Sequence, residues 1–147
     1  MATGISPEAA KESPRRHALH VLIVDDDALL RWAIAQTLAA RGHVVSEAAN
    51  GESAVAAFAS CDRIDLVLLD LWLPDSTDLR VLALMRAIQS EVPILVMTAH
   101  PTADFADEAA ALGASAIEKP FDMVTLAALI ERTCAPAATA SSTAARA

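Results

Sequence analysis

The sequence has 147 residues, 54% apolar and 20% charged, a length that fits one domain with a core of its own. Nineteen acidic residues against eleven Lys and Arg give a formal charge of −8. This charge disfavours direct contact with nucleic acid or an anionic membrane surface, because both require a basic face. The apolar runs are far shorter than the ~20 residues that span a bilayer, so no transmembrane segment is expected.

The cysteines and the chain ends indicate where the protein works and how it is organised. Cys61 and Cys134 have no disulfide-framework or metal-binding spacing, and the N-terminal stretch lacks a signal peptide's apolar run. A reduced, cytoplasmic protein is therefore expected. Residues 1–18 and 134–147 lack periodicity or are low in complexity, which predicts flexible tails on either side of one domain at 19–133.

Short apolar runs, several of them rich in β-branched residues, predict five β-strands. Each run is bounded by polar or turn-forming residues, and the third and fourth are apolar throughout, as strands buried in a parallel sheet are. The predicted strands are residues 20–24, 44–48, 65–69, 94–98 and 115–118.

Between the strands, apolar residues recur with the period of an amphipathic helix. Gly42 and Gly113 follow the first and fourth helices, where a left-handed residue ends a helix, and Asn50 opens the second. The apolar positions that mark the five helices are Leu30, Ile34 and Leu38; Val55 and Phe58; Leu79, Leu82 and Met85; Phe105, Ala109 and Leu112; and Val124, Ala127 and Ile130. The alternation of strands and helices predicts an α/β fold with a doubly wound parallel sheet covered on both faces.

Polar residues follow the predicted strands at their carboxyl ends, where doubly wound sheets bind ligands. Residues 25–27, all Asp, follow the first strand, Asp70 the third and Lys119 the fifth, while Thr98 closes the fourth. Taken singly, each has an ordinary explanation, such as a helix cap for the last of the three acids or a solvated loop residue for the others. Four such positions at one edge are harder to explain in that way.

The chemistry of this set points to phosphate. Neighbouring carboxylates repel unless one is protonated or a cation lies among them. Oxygen donors that leave coordination positions open suit Mg²⁺, which keeps bound water and binds phosphate. A lysine and a hydroxyl opposite could bind phosphoryl oxygens, and a carboxylate can itself accept a phosphoryl group.

Four segments resemble the receiver domain of bacterial two-component response regulators. They are VLIVDDDALLRWAIAQTL, DLVLLDLWLPD, PILVMTA and EKPFD, in the order and spacing of that family. The resemblance covers residues 19–133 and implies a flavodoxin-like (βα)5 fold with strand order 2-1-3-4-5.

The resemblance also implies a role for each residue of the acidic group. Asp70 corresponds to the phospho-accepting residue. Asp25 and Asp26 correspond to the acidic pair that holds Mg²⁺ together with Asp70, and Asp26 is expected to be the direct ligand of the two. Trp72 would contribute its backbone carbonyl to the metal, and its large indole is expected to shield the phosphoryl group from water.

On the other side of the site, Thr98 corresponds to the switch hydroxyl and Lys119 to the lysine that contacts the phosphoryl group. The bond between Lys119 and Pro120 is expected to be cis, as in family members. Two positions depart from the family pattern. Asp78 stands where receivers usually have a glycine and is expected to cap the third helix. Ala116 stands where an aromatic is common, which puts the usual threonine–aromatic coupling in question.

The implied function is that of a signalling receiver and not of an ordinary enzyme. It would take a phosphoryl group from a phosphohistidine of a sensor histidine kinase or a phosphotransfer protein, with self-phosphorylation and self-dephosphorylation as its only chemistry. No output domain fits in the remaining residues, so the signal is expected to pass by contact. The face made by helix 4, strand 5 and helix 5 is the expected surface for a downstream protein or for a phosphorylation-dependent homodimer.

Two alternatives stay open. Ala116 favours a phosphorylation-independent binding module on a receiver fold. The pair Arg31-Trp32 in the first helix is similar to receivers of enhancer-binding transcriptional activators, so the chain could be a fragment of such a regulator. A phosphatase of the haloacid dehalogenase type is disfavoured, because that chemistry needs a second acid two residues after the nucleophile, where Trp72 stands.

Overall fold

The computed structural model of the chain describes residues 18–100 and 102–135. Its five strands all pair in parallel, and their order across the sheet is 2-1-3-4-5, as the resemblance implied. The third strand starts and ends one residue later than predicted, and the fifth starts one residue earlier. The strands are β1 (His20–Val24), β2 (Val44–Ala48), β3 (Leu66–Asp70), β4 (Ile94–Thr98) and β5 (Ala114–Glu118).

Five helices alternate with the strands, as predicted. Asp27 caps the first, accepting hydrogen bonds from the backbone N–H groups of the next turn. Gly42 and Gly113, after the first and fourth helices, have φ of 91° and 73°, a backbone conformation that favours glycine. The helices are α1 (Ala28–Ala40), α2 (Gly51–Ser60), α3 (Arg80–Ile88), α4 (Ala103–Ala111) and α5 (Met123–Thr133).

The start of α3 differs slightly from the expectation. Leu79 occupies the N-cap position and makes no side-chain capping bond. Asp78, one residue earlier, accepts a hydrogen bond of 2.9 Å from the N–H of Arg80. The predicted capping contact is therefore present, but it comes from the residue before the cap.

The sheet is buried on both faces because alternate strand residues pack against different helices. Leu22 and Val24 of β1 belong to a cluster that includes α2, α3 and α4. Val21 and Ile23 belong to a second cluster with α1 and α5. A strand that is apolar at every position is the sequence signature of this burial.

The chain ends lie mostly outside the described residues. The predicted N-terminal tail (1–18) is described only at Ala18, and the predicted C-terminal tail (134–147) only at Cys134 and Ala135. Cys134 caps α5 and is half-buried against the cluster of α1 and α5. Nowhere in the described part of the chain does a helix combine the length and apolarity that crossing a bilayer requires.

A polar cluster joins the turn after α1 to α5. Arg41 donates two hydrogen bonds of 2.8 Å to the carboxylate of Glu131, and His43 Nε2 lies 2.8 Å from the same group. Since Nδ1 of His43 accepts from the N–H of Leu19, Nε2 is the donor. The hydrogen bond from Arg41, together with His43, lowers the pKa of Glu131 to about 2.

We predict that Glu131→Gln weakens the fold by about 1 kcal/mol near pH 7, because the charge-assisted contacts lie partly in water. The folded-state pKa lies below the ordinary value of 4.5, so this contribution is present above about pH 4.5 and is lost as pH falls towards about 2. Urea unfolding near pH 7 and about pH 3.5 measures it. Glu91→Gln, at an exposed carboxylate, is the control, and a pH-independent effect of Glu131→Gln would contradict the prediction.

Candidate functional site

Three carboxylates converge at the carboxyl edge of the sheet. Asp25 follows β1 directly and Asp70 is the last residue of β3, so the parallel pairing of these strands brings them together. One oxygen each from Asp25, Asp26 and Asp70 lies within 4.8 Å of the others. Asp25 is 0% and Asp70 5% exposed, whereas Asp26 is exposed. The predicted acidic cluster is therefore present, with one member open to solvent.

Lys119 is the cation of this cluster. Its Nζ lies 2.9 Å from Oδ2 of Asp25 and 3.4 Å from Oδ1 of Asp70. Its backbone N–H donates to the carbonyl of Thr98, and its bond to Pro120 is cis, as expected. Burial lowers the pKa of Lys119, but the hydrogen bond and the charges of the two carboxylates outweigh this and leave the pKa above its ordinary value. The ammonium is thus held charged beside both acids.

Asp70 is the carboxylate with the perturbed acidity. Burial raises its pKa to about 6, and the charge of Asp25 acts in the same direction. Lys119 and the N–H of Trp72, which lies 3.3 Å from Oδ1, oppose the shift without cancelling it. Near neutral pH the group is mostly ionised, yet its ionisation is unfavourable in the absence of another cation.

Thr98 and Trp72 border the cluster. Thr98, at the end of β4, is 1% exposed, and its Oγ1 accepts a hydrogen bond of 3.2 Å from the N–H of His100. Within the described ranges no hydrogen bond joins this hydroxyl to the carboxylates. The indole of Trp72 is 57% exposed beside Asp70. A metal-binding role for the Trp72 carbonyl remains a prediction.

Ala116 lies on β5, where it pairs in register with Val96 of β4. It is exposed, so the surface carries a methyl group at the position where receivers commonly have an aromatic ring. Its effect on switching remains a prediction.

Two residues that support the site were not assigned a role from the sequence. Asp75, in the loop after β3, accepts hydrogen bonds of 2.7 and 2.9 Å from the N–H groups of Gly51 and Glu52 at the start of α2. A Cβ on Gly51 would lie 2.7 Å from Val81, so this close approach requires glycine. Arg31 of α1 contacts the loop after β1. Asp75 binds backbone groups 23 and 24 residues away in the sequence, and Arg31 binds the Asp25 carbonyl across the end of a helix. Neither contact leaves a pattern in a sequence.

The donor set fits Mg²⁺. It consists of oxygen atoms alone, it carries more negative charge than Lys119 balances, and Asp26 keeps one side open to water. These are the properties of a Mg²⁺ site, since this ion prefers carboxylate oxygen and retains several waters. A softer metal would require His or Cys ligands, and neither belongs to the cluster.

Comparison with known proteins identifies the family. The family model described as the response regulator receiver domain matches residues 21–131. The chain belongs to this family. Receiver domains are signalling phospho-acceptors that generally use Mg²⁺ at an acidic pocket and interact with histidine kinases or phosphotransfer proteins.

Individual relatives agree with this assignment. The DNA-binding transcriptional regulator NtrC of Salmonella typhimurium is 35% identical over 113 residues, which are 76% of this chain and 24% of NtrC. Sporulation initiation phosphotransferase F of Bacillus subtilis is 34% identical over 104 residues, covering 70% of this chain and 83% of that protein. The structure of chemotaxis protein CheY4 from Vibrio cholerae superposes with a TM-score of 0.73 at 29% identity, covering 79% of this chain and 98% of CheY4. The chain thus spans only about a quarter of the length of NtrC.

The raised pKa of Asp70 predicts a specific pH dependence of the metal-free receiver. Because the folded-state pKa of about 6 lies above the ordinary 3.8, ionisation of Asp70 destabilises the fold as pH rises through this range. In Asp70→Asn this loss is absent. The variant should therefore exceed the wild type by about 1–2 kcal/mol near pH 7, with water at the open edge reducing the effect, and by much less near pH 4.

Urea unfolding in EDTA at several pH values measures this difference. Asp78→Asn, at an exposed carboxylate outside the cluster, is the matched control and should show no such trend. A stability difference between wild type and Asp70→Asn that stays constant with pH would show that the Asp70 carboxyl is not perturbed.

Proposed function

We propose that this receiver accepts a phosphoryl group on Asp70 from a phosphohistidine of a sensor histidine kinase or a phosphotransfer protein. The observation that carries the proposal is the arrangement at the carboxyl edge of the sheet. The ionisable Asp70 lies among two further carboxylates, and the ammonium of Lys119 is 3.4 Å from its Oδ1. A carboxylate nucleophile with a cation beside it is the minimum that phosphoryl transfer to Asp requires.

The transfer exchanges one phosphorus bond for another. A carboxylate oxygen of Asp70 attacks phosphorus while the P–N bond of the phosphohistidine breaks. The electron pair of that bond stays on the imidazole nitrogen. When the other ring nitrogen of the phosphohistidine is protonated, the leaving group is a neutral imidazole. Because the pKa of Asp70 is about 6, the attacking form predominates near neutral pH. Lys119 lies where it can pair with an oxygen of the incoming group.

The three carboxylates and the backbone carbonyl of Trp72 are the proposed ligands of Mg²⁺. When bound, Mg²⁺ would supply positive charge for the phosphoryl oxygens, which the carboxylates alone would repel. Asp26 is the exposed member of the set, so its carboxylate can bind metal without first losing a protein partner. Asp25, by contrast, already pairs with Lys119.

We further propose that Thr98 and the adjoining surface transmit the phosphorylated state. The Thr98 hydroxyl, now an acceptor from His100, would donate to a phosphoryl oxygen instead. The face of α4, β5 and α5 would then bind a downstream protein or a second copy of the chain. With Ala116 on β5, this change takes place without an aromatic ring at that position.

The relatives favour two settings for this receiver. Sporulation initiation phosphotransferase F, matched over 83% of its length, favours a receiver that passes its signal by contact. NtrC, matched over 24% of its length, favours the receiver portion of a longer transcriptional regulator. The free thiols of Cys61 and Cys134 fit a cytoplasmic location in either case. The chemistry that we propose for the chain is limited to phosphorylation of its own Asp70, from a phosphohistidine or a small donor, and self-dephosphorylation.

Incubation with acetyl phosphate and Mg²⁺ tests the proposal. Intact-mass measurement should show one added phosphoryl group in the wild type and none in Asp70→Asn, because the amide is not a nucleophile. Asp78→Asn is the control and should be labelled like the wild type. A label that persists in Asp70→Asn would place the acceptor elsewhere. A folded wild type that binds Mg²⁺ but takes no label would favour the phosphorylation-independent module.

We also predict that Trp72 lengthens the life of the phosphorylated state. Trp72 lies two residues after the acceptor, and its exposed indole can exclude attacking water. Loss of label from phosphorylated Trp72→Ala should be about threefold faster or more than from the wild type. Trp32→Ala is the matched control, because it removes the other exposed indole, which lies on α1. Equal decay in wild type and Trp72→Ala would remove the shielding role.

A further inference from the structure

The side chain of Arg31 joins the acidic loop after β1 to the neighbouring strand. From the first turns of α1, its Nη1 donates a hydrogen bond of 2.6 Å to the backbone carbonyl of Asp25. Its Nε donates a hydrogen bond of 2.8 Å to the carboxylate of Glu47 on β2. The side chain is only 18% exposed. The guanidinium is thus fixed at two points and approaches the loop from the side of β2.

These contacts matter most for Asp26. Its side chain is exposed, and within the described part of the chain no hydrogen bond holds its carboxylate. Its direction therefore depends on the two peptide groups that flank it. Arg31 holds the peptide before it through the Asp25 carbonyl. The peptide after it is held by the bond from the N–H of Asp27 to Oδ1 of Asp25, at 2.9 Å.

The edge strand β2 supports the loop in two ways. The N–H of Asp25 donates to the carbonyl of Ala48, at 3.1 Å, which extends the pairing of β1 with β2 by one residue. The carbonyl of Asp25 is then held by Arg31, which is itself held by Glu47. Both polar groups of the Asp25 backbone are therefore anchored to β2, one directly and one through the arginine.

We infer that Arg31 is a positioning residue for the Mg²⁺ site: it fixes the peptide before Asp26 and so holds that carboxylate in the direction that binds the ion. Glu47 acts one step further out, by keeping the guanidinium on the carbonyl and away from the carboxylates. The inference rests on the proposed function, in which Asp26 is a metal ligand. Groups that orient metal ligands without touching the metal commonly control affinity.

Charge and positioning make opposite predictions for Arg31. Considered as a charge alone, a guanidinium near a dication site repels the ion, so its removal should tighten Mg²⁺ binding. Considered as a brace, its removal frees the Asp25–Asp26 peptide, and binding should weaken. The sign of the change in affinity therefore separates the two effects.

Mg²⁺ titrations of the whole chain test the inference. In a Trp32→Phe background Trp72 is the only indole, and its fluorescence reports on the cluster; the rise in unfolding temperature with Mg²⁺ is the second readout. Arg31→Ala should bind Mg²⁺ roughly tenfold more weakly than its parent. Arg31→Lys and Glu47→Gln should fall between the two, because an ammonium lacks the fork that reaches both partners, and Glu47→Gln weakens the anchor.

Arg63→Ala is the matched control, since it removes an equally charged residue that lies just before β3, at the amino ends of the strands and so across the sheet from the acidic cluster. Its Mg²⁺ affinity should equal that of the parent. Unchanged or tighter binding by Arg31→Ala overturns the inference. If Arg31→Ala does not fold in EDTA, the affinities of Arg31→Lys and Glu47→Gln decide in the same way. A parent that binds no Mg²⁺ refutes the proposed metal site itself, which is a different failure.

Discussion

The ion pair between Asp25 and Lys119 is the contact on which the rest of the site depends. A carboxylate with no exposed surface is strongly unfavourable unless a cation and hydrogen bonds compensate it. The cation comes from the end of β5, which is separated from β1 in the sheet by β3 and β4. The pair can therefore form only when four strands are correctly ordered. Local chemistry at this edge is tied in this way to the global fold.

The same contacts explain how the fold accommodates an electrostatically unfavourable acidic cluster. One ammonium cannot balance three carboxylates, and the pKa of Asp70 is raised first by burial and then by the charge of Asp25. A bound dication would compensate the negative charge that Lys119 leaves unbalanced. The apolar clusters on both faces of the sheet offset the unfavourable ionisation. The free energy of apolar packing thus keeps an unfavourable group of charges in the folded structure.

The sequence was sufficient for the parts of the molecule that follow a local pattern. Strand order aside, the elements and the positions of Asp25, Asp70 and Lys119 follow from the rule that parallel strands end at one edge. The later start of β3 comes from a contact between strands: the carboxylate of Asp65 accepts a hydrogen bond from the N–H of His20, and the pairing of β1 with β3 begins at Leu66. The contacts of Arg31 and Asp75 could not be predicted from the sequence, because each side chain binds backbone atoms of another segment.

These two residues share a physical logic. A cluster of like charges cannot organise itself, since each member is driven away from the others. Its geometry must be imposed by groups outside the cluster that are not repelled by it. Backbone carbonyls and N–H groups serve this purpose: Arg31 holds the loop after β1 through a carbonyl, and Asp75 holds the loop after β3 to the N–H groups that begin α2. The loops that carry the acidic cluster are therefore held in place by β2 and α2, which contribute no carboxylate to the cluster.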